Sequence, residues 1–178
     1  MISHPIGRVK GKHARAQAYD RRIAAIHEAG HAFMAVWLGL EADAWIYPIQ
    51  VDDFREERTW LGKVTVGSTT LRRDHPHIRM VAVAGMVAET LWKNGHDEYF
   101  LEPHIWERLL TDEDSMSHSD WGLAGCSPGE PDDALYTIAA EVAWLFMCEQ
   151  WSALTGMSRD LMKYPGEISS FRNDGLAV

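Results

Sequence analysis

Cysteine is scarce in this sequence. Cys126 and Cys148 are the only two among 178 residues. They form no CxxC pair, which argues against a disulfide framework and fits a reduced, cytoplasmic setting. Long apolar runs are missing too. The longest, AFMAVWLGL and MVAVAGMVA, fall well short of the ~18 residues that span a bilayer, and the first twenty residues lack the apolar core of a signal peptide. Positive charge is in deficit: 17 Lys and Arg face 26 Asp and Glu, for a net charge of -9. Phosphate binding needs a basic face, so nucleic acid is not expected as a partner. The one basic cluster, GRVKGKHARAQAYDRR, is expected to be a solvated arm leading into the first helix. No GxxxxGK[ST] phosphate loop occurs, so ATP binding of that kind is not expected.

What remains has ordinary globular proportions, 46% hydrophobic and 24% charged, and a length that suits one domain. Eight tryptophans imply a packed core or an apolar cleft. Apolar residues at Ile23, Ile26, Phe33, Met34, Trp37 and Leu38 recur with helical period. Asp20 is placed to cap that helix and Gly39 to end it. AWIYPIQV and WLGKVTVGS read as strands, the first marked by Pro48 as an edge or as interrupted. HPHIRMVAVAGMVAETLWKNG reads as a second helix, with Asp74 near its cap, Gly95 past its end and enough Ala and Gly to let another helix approach closely. EPHIWERLL suggests a short helix, TDEDSMSHSDWGLAG a loop entering another, and PDDALYTIAAEVAWLFMCEQW a long helix with Pro131 in its first turn. A shorter helix around SRDLMKY precedes a loose tail from Pro165. A mainly α (α+β) fold follows: one helical domain with a small two- to three-stranded sheet beside the first helix.

The chemistry is concentrated at His27, Glu28 and His31, an HExxH string on that first helix. Residues four apart share a helix face, so two imidazoles can address one metal ion. Glu28, the next residue along, can instead reach a water on the ion's open position and take its proton. Zn2+ suits such nitrogen donors, and the small Ala29 and Gly30 leave room beside them. A catalytic site normally has a third protein ligand. Glu89, the acidic run Asp112, Glu113 and Asp114, and His118 with Asp120 are candidates, and periodicity alone does not choose between them. His118 could line the site or donate to it. His75, His77, His96 and His104 are expected at the surface. Trp37, Trp144 and Trp151 are expected in the core, and Trp121 either walls the pocket or simply packs.

HEAGHAFMAVWLGL, then a strand-like stretch, then VAVAGMVAETLW, then SHSDWGLA before a long helix, together resemble the peptidase domain of FtsH-type proteases, the M41 metallopeptidases. The resemblance covers roughly residues 20 to 155. It implies a helical zinc peptidase with His27 and His31 as ligands, Glu28 as catalytic base and Asp120 as third ligand. Glu89 becomes a group orienting a ligand histidine, with Asp114 or Asp112 as substitutes for Asp120. It also implies that Lys63, Val64, Thr65 and Val66 form an edge strand on which a polypeptide substrate lies extended. Ser119 stands where the family usually has Asn, and the gap from His31 to Asp120 is longer than usual. The family's members usually carry a membrane anchor and an ATPase module before the peptidase, and neither is expected in this chain. The expectation is therefore a stand-alone peptidase: a basic arm over 1–19, the peptidase domain over 20–164 and the tail over 165–178. It would use a separate ATPase or a homo-oligomer if it needs either. The alternative from another class is a non-catalytic, metal-binding regulatory domain of the same fold.

Overall fold

The first helix sits at the middle of the molecule because, apart from His27, Glu28 and His31, its residues from Ile23 to Val36 are apolar or glycine. Residues 23–26 and 28–36 are buried, and His27 is half-buried, as expected of a helix covered on nearly all sides. The structure is a computed structural model that describes residues 6–49, 59–67 and 75–172, without the side chains of 6–14. Helix α1 spans Ile6–Trp37 and ends in a Schellman turn. Leu40 N–H reaches Ala35 O at 2.9 Å, Gly39 N–H reaches Val36 O at 3.0 Å, and Gly39 takes the required positive φ of 79°.

Around α1 pack α2 (Pro76–Asn94), α6 (Trp151–Lys163) and the strands β1 (Ala42–Pro48) and β2 (Trp60–Val66). Helix α5 (Asp133–Leu145) lies against α2 and against α3 (Pro103–Leu110), and the short α4 (His118–Ala124) also rests on α2. The α1–α2 seam is close. A Cβ on Gly30 would stand 2.4 Å from Ala84 O and 2.9 Å from the Ala88 Cβ, so the small residues of both helices let their backbones approach as the sequence suggests.

Strand β3 (Ser169–Phe171) joins a three-stranded antiparallel sheet in the order β2-β1-β3. Ala42, Ala44 and Ile46 point into the core, while alternate residues of β1 are half-buried. Strand β2 keeps one edge unpaired within the sheet.

Several local expectations change. Helix α1 begins well before Asp20, so that residue is no cap and the basic stretch from Ile6 onward is helical. The Asp20 carboxylate accepts instead from Thr59 N–H and Oγ1, both at 2.9 Å, tying the start of β2 to α1. Pro48 does not make β1 an edge. Strand β1 is central, and Pro48 is tolerated because β3 pairs only with Ala42–Ala44. The tail after Pro165 is not loose throughout: β3 lies in it, and Ser170 Oγ donates to Asp43 at 2.6 Å. Pro131 precedes the α5 cap, Asp132, whose carboxylate accepts from Leu135 N–H at 3.0 Å. The long helix expected to reach Trp151 gives way to a π-turn at Phe146–Gln150 before α6. Trp144 is 48% exposed, and Trp37 and Trp151 are only partly buried against the core. Helix α2 is capped by His75, whose side chain accepts from His77 N–H. Asp74 and the acidic stretch 52–58 lie outside the described residues. Among the described residues, no helix is long and apolar enough to cross a membrane.

Candidate metal centre

The helical spacing of four brings the two imidazoles together. His27 Nε2 and His31 Nε2 lie 3.1 Å apart, with their rings at 72°. Each ring is held from behind. His31 Nδ1 contacts Val81 O at 2.7 Å, and His27 Nδ1 contacts Glu89 Oε2 at 3.0 Å. Both holders are on α2. Lys93, one turn further along α2, approaches Glu89 Oε1 at 2.5 Å. A proton on each Nδ1 satisfies these contacts and leaves each Nε2 lone pair facing forward, the tautomer a metal ligand needs.

The third donor arrives on α4. Ser117 caps this helix, accepting from Asp120 N–H at 3.2 Å. The Asp120 carboxylate accepts from Ser117 Oγ at 2.6 Å. It stands 3.8 Å from His27 Nε2 and 3.6 Å from His31 Nε2. Trp121, buried beside it, donates its indole N–H to Glu113 O at 3.0 Å; it packs and pins the loop. Among the described residues, His27, His31 and Asp120 are the one group of three such donors close enough to share an ion.

The donors fit a divalent cation. Tetrahedral ligands at the bond lengths of zinc sites lie about 3.4 Å from one another, between the three separations here. Room for an ion also exists. A Cβ on Gly85 would come within 2.3 Å of His31 Nε2 and 2.7 Å of His27 Nε2, so the absent side chain keeps the front of both rings clear.

The electrostatics agree. Burial pushes the His27 pKa down. The hydrogen bonds to Asp120 and Glu89 and the charges of Glu28 and Glu89 together outweigh it and raise the value to about 10. Burial likewise raises Glu89 and Asp120, but His27 opposes it in both, helped by Lys93 at Glu89 and by His31 at Asp120, and both fall to about 2. Without a metal, a proton on His27 supplies the positive charge that the surrounding carboxylates demand.

Glu28 is buried. Its side chain runs under β2, where a Cβ on Gly62 would lie 2.1 Å from Glu28 Cγ. Both residues line a cleft of about 1200 Å³ that also takes in the three donors, Lys63, Val64 and Val66. The exposed Lys63 and Thr65 alternate along β2 with the half-buried Val64 and Val66.

The other candidates fall outside the donor group. Glu89 sits behind His27, away from Nε2. Asp112 caps a 3-10 turn by accepting from Asp114 N–H at 3.1 Å. Asp114 and His118 line the cleft as exposed residues. His77, His96 and His104 are exposed and His75 is half-buried. The roles of Gly85, Gly62, Lys93 and the Val81 carbonyl were not anticipated. One signal was available for Gly85: a glycine inside a helix costs about 1 kcal/mol against alanine and so suggests a packing or functional reason.

Compared with protein-family models and with curated proteins, the chain matches none.

Proposed function

We propose that this chain is a zinc-dependent endopeptidase of the FtsH type, hydrolysing peptide bonds in unfolded or extended polypeptide with no ATP use of its own. The supporting observation is the convergence of His27, His31 and Asp120 in a cleft that also holds Glu28 beneath an edge strand. A divalent ion held by the three donors supplies an acidified water and a Lewis acid for the carbonyl oxygen.

The remaining work falls to the protein. The Glu28 carboxylate accepts the proton of the attacking water and passes it to the departing amine nitrogen. The free edge of β2 at Lys63–Val66 offers main-chain N–H and C=O groups to an extended substrate, giving affinity that does not demand one sequence. Glu89 and the Val81 carbonyl hold the two rings so that only their Nε2 atoms face the ion. The free Cys126 and Cys148 are compatible with a reducing, cytoplasmic setting.

Metal analysis of the purified protein, beside cleavage of an unstructured polypeptide with and without chelator, tests this reading. Chelation is expected to stop cleavage and zinc to restore it. Glu28→Gln is expected to keep the metal and lose ~10²–10⁴-fold in rate. Cleavage by Glu28→Gln at the parental rate would overturn the mechanism.

A further inference from the structure

A second cavity, of about 260 Å³, lies between α1, α2 and α6. Arg22 and Ile26 contribute from α1, Trp92 from α2, and Ser158, Arg159 and Met162 from α6. Arg22 and Ile26 stand one residue before Ile23 and His27, so the cavity occupies the stripe of α1 next to the one facing the metal cleft. The two spaces are separated by an aromatic pair: Trp92 lines the cavity, Tyr19 lines the cleft, and their ring centroids are 5.5 Å apart.

Three of the polar side chains around this cavity make no contact of their own. Arg22 and Arg159 are exposed and make no ion pair or hydrogen bond among the described residues. Their neighbour Arg21, by contrast, donates to Met162 O and lies over the Trp60 ring. Ser158 is only 5% exposed, lines the cavity, and its hydroxyl has no hydrogen-bond partner among the described residues. Thr155 differs, because its hydroxyl is engaged with its own helix at Trp151 O and Ser152 O. The cavity therefore offers two guanidinium groups and one free O–H over an apolar floor of Ile26, Trp92 and Met162.

We infer that this cavity is a binding site for a carboxylate carried on a compact apolar body. Two guanidinium groups bordering one cavity suit a planar carboxylate, and the Ser158 hydroxyl supplies a further donor. The apolar floor argues for more than a bare oxyanion: inorganic phosphate would engage the arginines and leave Ile26, Trp92 and Met162 uncovered. The same chemistry is offered by a free small acid and by the last residue of a polypeptide. The inference stands independently of the peptidase reading.

The test uses chelator-treated full-length protein, so that no carboxylate is held by metal in the cleft. Titration calorimetry with N-acetyl-leucine is expected to show binding. N-acetyl-leucinamide and inorganic phosphate are each expected to bind at least about tenfold more weakly. The double substitution Arg22→Gln with Arg159→Gln should lower affinity for the acid by about tenfold or more, with unchanged circular dichroism. Ser158→Ala should cause a smaller loss. Equal binding of acid and amide, equal binding of phosphate, absence of any binding, or unaltered affinity in the double variant would each overturn the inference. A peptide of about ten residues ending in leucine, with free or amidated terminus, identifies the source. Free-terminus binding well above that of N-acetyl-leucine assigns the site to chain ends, and equal binding assigns it to small acids.

Discussion

The α1–α2 seam and the α4 helix deliver donors to the same point in different ways. On the seam, His27 and His31 project from a buried helix, and α2 supplies both groups that hold their Nδ1 atoms. The backbones meet at Gly30 and Ala84 with no side chain between them. Helix α4 has only seven residues. It brings Asp120 to the site through its contact with α2, the buried Trp121 and Ala124, and a serine cap. Two donors are thus fixed by the core itself, while the third depends on a small element docking against it. Short helices are marginal without such tertiary support. A change in the seam should therefore damage fold and metal site together, whereas a change at α4 should damage chiefly the site.

Gly85→Ala strikes the seam hardest. The new Cβ would press on both Nε2 atoms, and neither ring can retreat without giving up its Nδ1 partner. Metal affinity is expected to fall more than ~100-fold, and overpacking should remove about 1–3 kcal/mol of stability. Competition with a chromophoric chelator and denaturant unfolding measure the two. Parental affinity in this variant would mean that the glycine is not what keeps the front of the rings clear.

Asp120→Ala is the matching change on α4. It removes one of three ligands, so metal affinity should drop about 100-fold. Metal-free protein should lose the charge contact with His27 but keep the packing of Trp121 and Ala124, so its unfolding free energy should fall less than in Gly85→Ala. If metal-free protein were destabilised as much as by Gly85→Ala, the distinction between the two regions would fail.

That contrast also marks what was legible in the sequence. The seam was largely readable, because His27, Glu28 and His31 obey the helix period and the Ala and Gly of the second helix announce close packing. The elements at the margins were harder. The sequence around Asp20 permits a cap, yet the helix passes through it because Thr59 takes the carboxylate. Pro48 looks like an edge signal, but a partner strand short enough to avoid it leaves β1 central. The pairing of β3 with β1 joins residues far apart in sequence, which no local pattern reveals. Periodicity did not choose Asp120 over its acidic neighbours, and only the resemblance singled it out: what separates them is how α4 docks on α2, a tertiary fact.

The metal centre carries its charge inside, shared between the seam and α4, and pH should expose that. In metal-free protein His27 is raised from 6.5 to about 10, so its contribution is fully present below 6.5 and is lost as pH rises through about 10. Glu89 and Asp120 are lowered from 4.5 and 3.8 to about 2; their contribution is present above those ordinary values and is lost as pH falls through about 2. All three contribute together between pH 4.5 and 6.5. The melting temperature of chelator-treated protein is expected to decline from pH 6.5 towards 10, less steeply in Glu89→Gln, and bound zinc should flatten the decline by taking the proton's place. A metal-free melting temperature that climbs over that range would contradict the charge pattern at His27.

The finest test of the contrast is Ser117→Ala. Ser117 Oγ accepts from Asp120 N–H, lies 2.6 Å from the Asp120 carboxylate and 2.7 Å from Ser119 Oγ. Losing a serine cap costs about 1 kcal/mol, and here that cost falls on the helix that carries the third donor. Since docking α4 and binding the ion draw on the same free energy, metal affinity should fall by somewhat less than about tenfold, and Ser117→Thr should restore most of it. Unfolding of the metal-free core should scarcely change. A loss as large as that of Asp120→Ala would show the cap, rather than Trp121, to be what seats α4 on the seam.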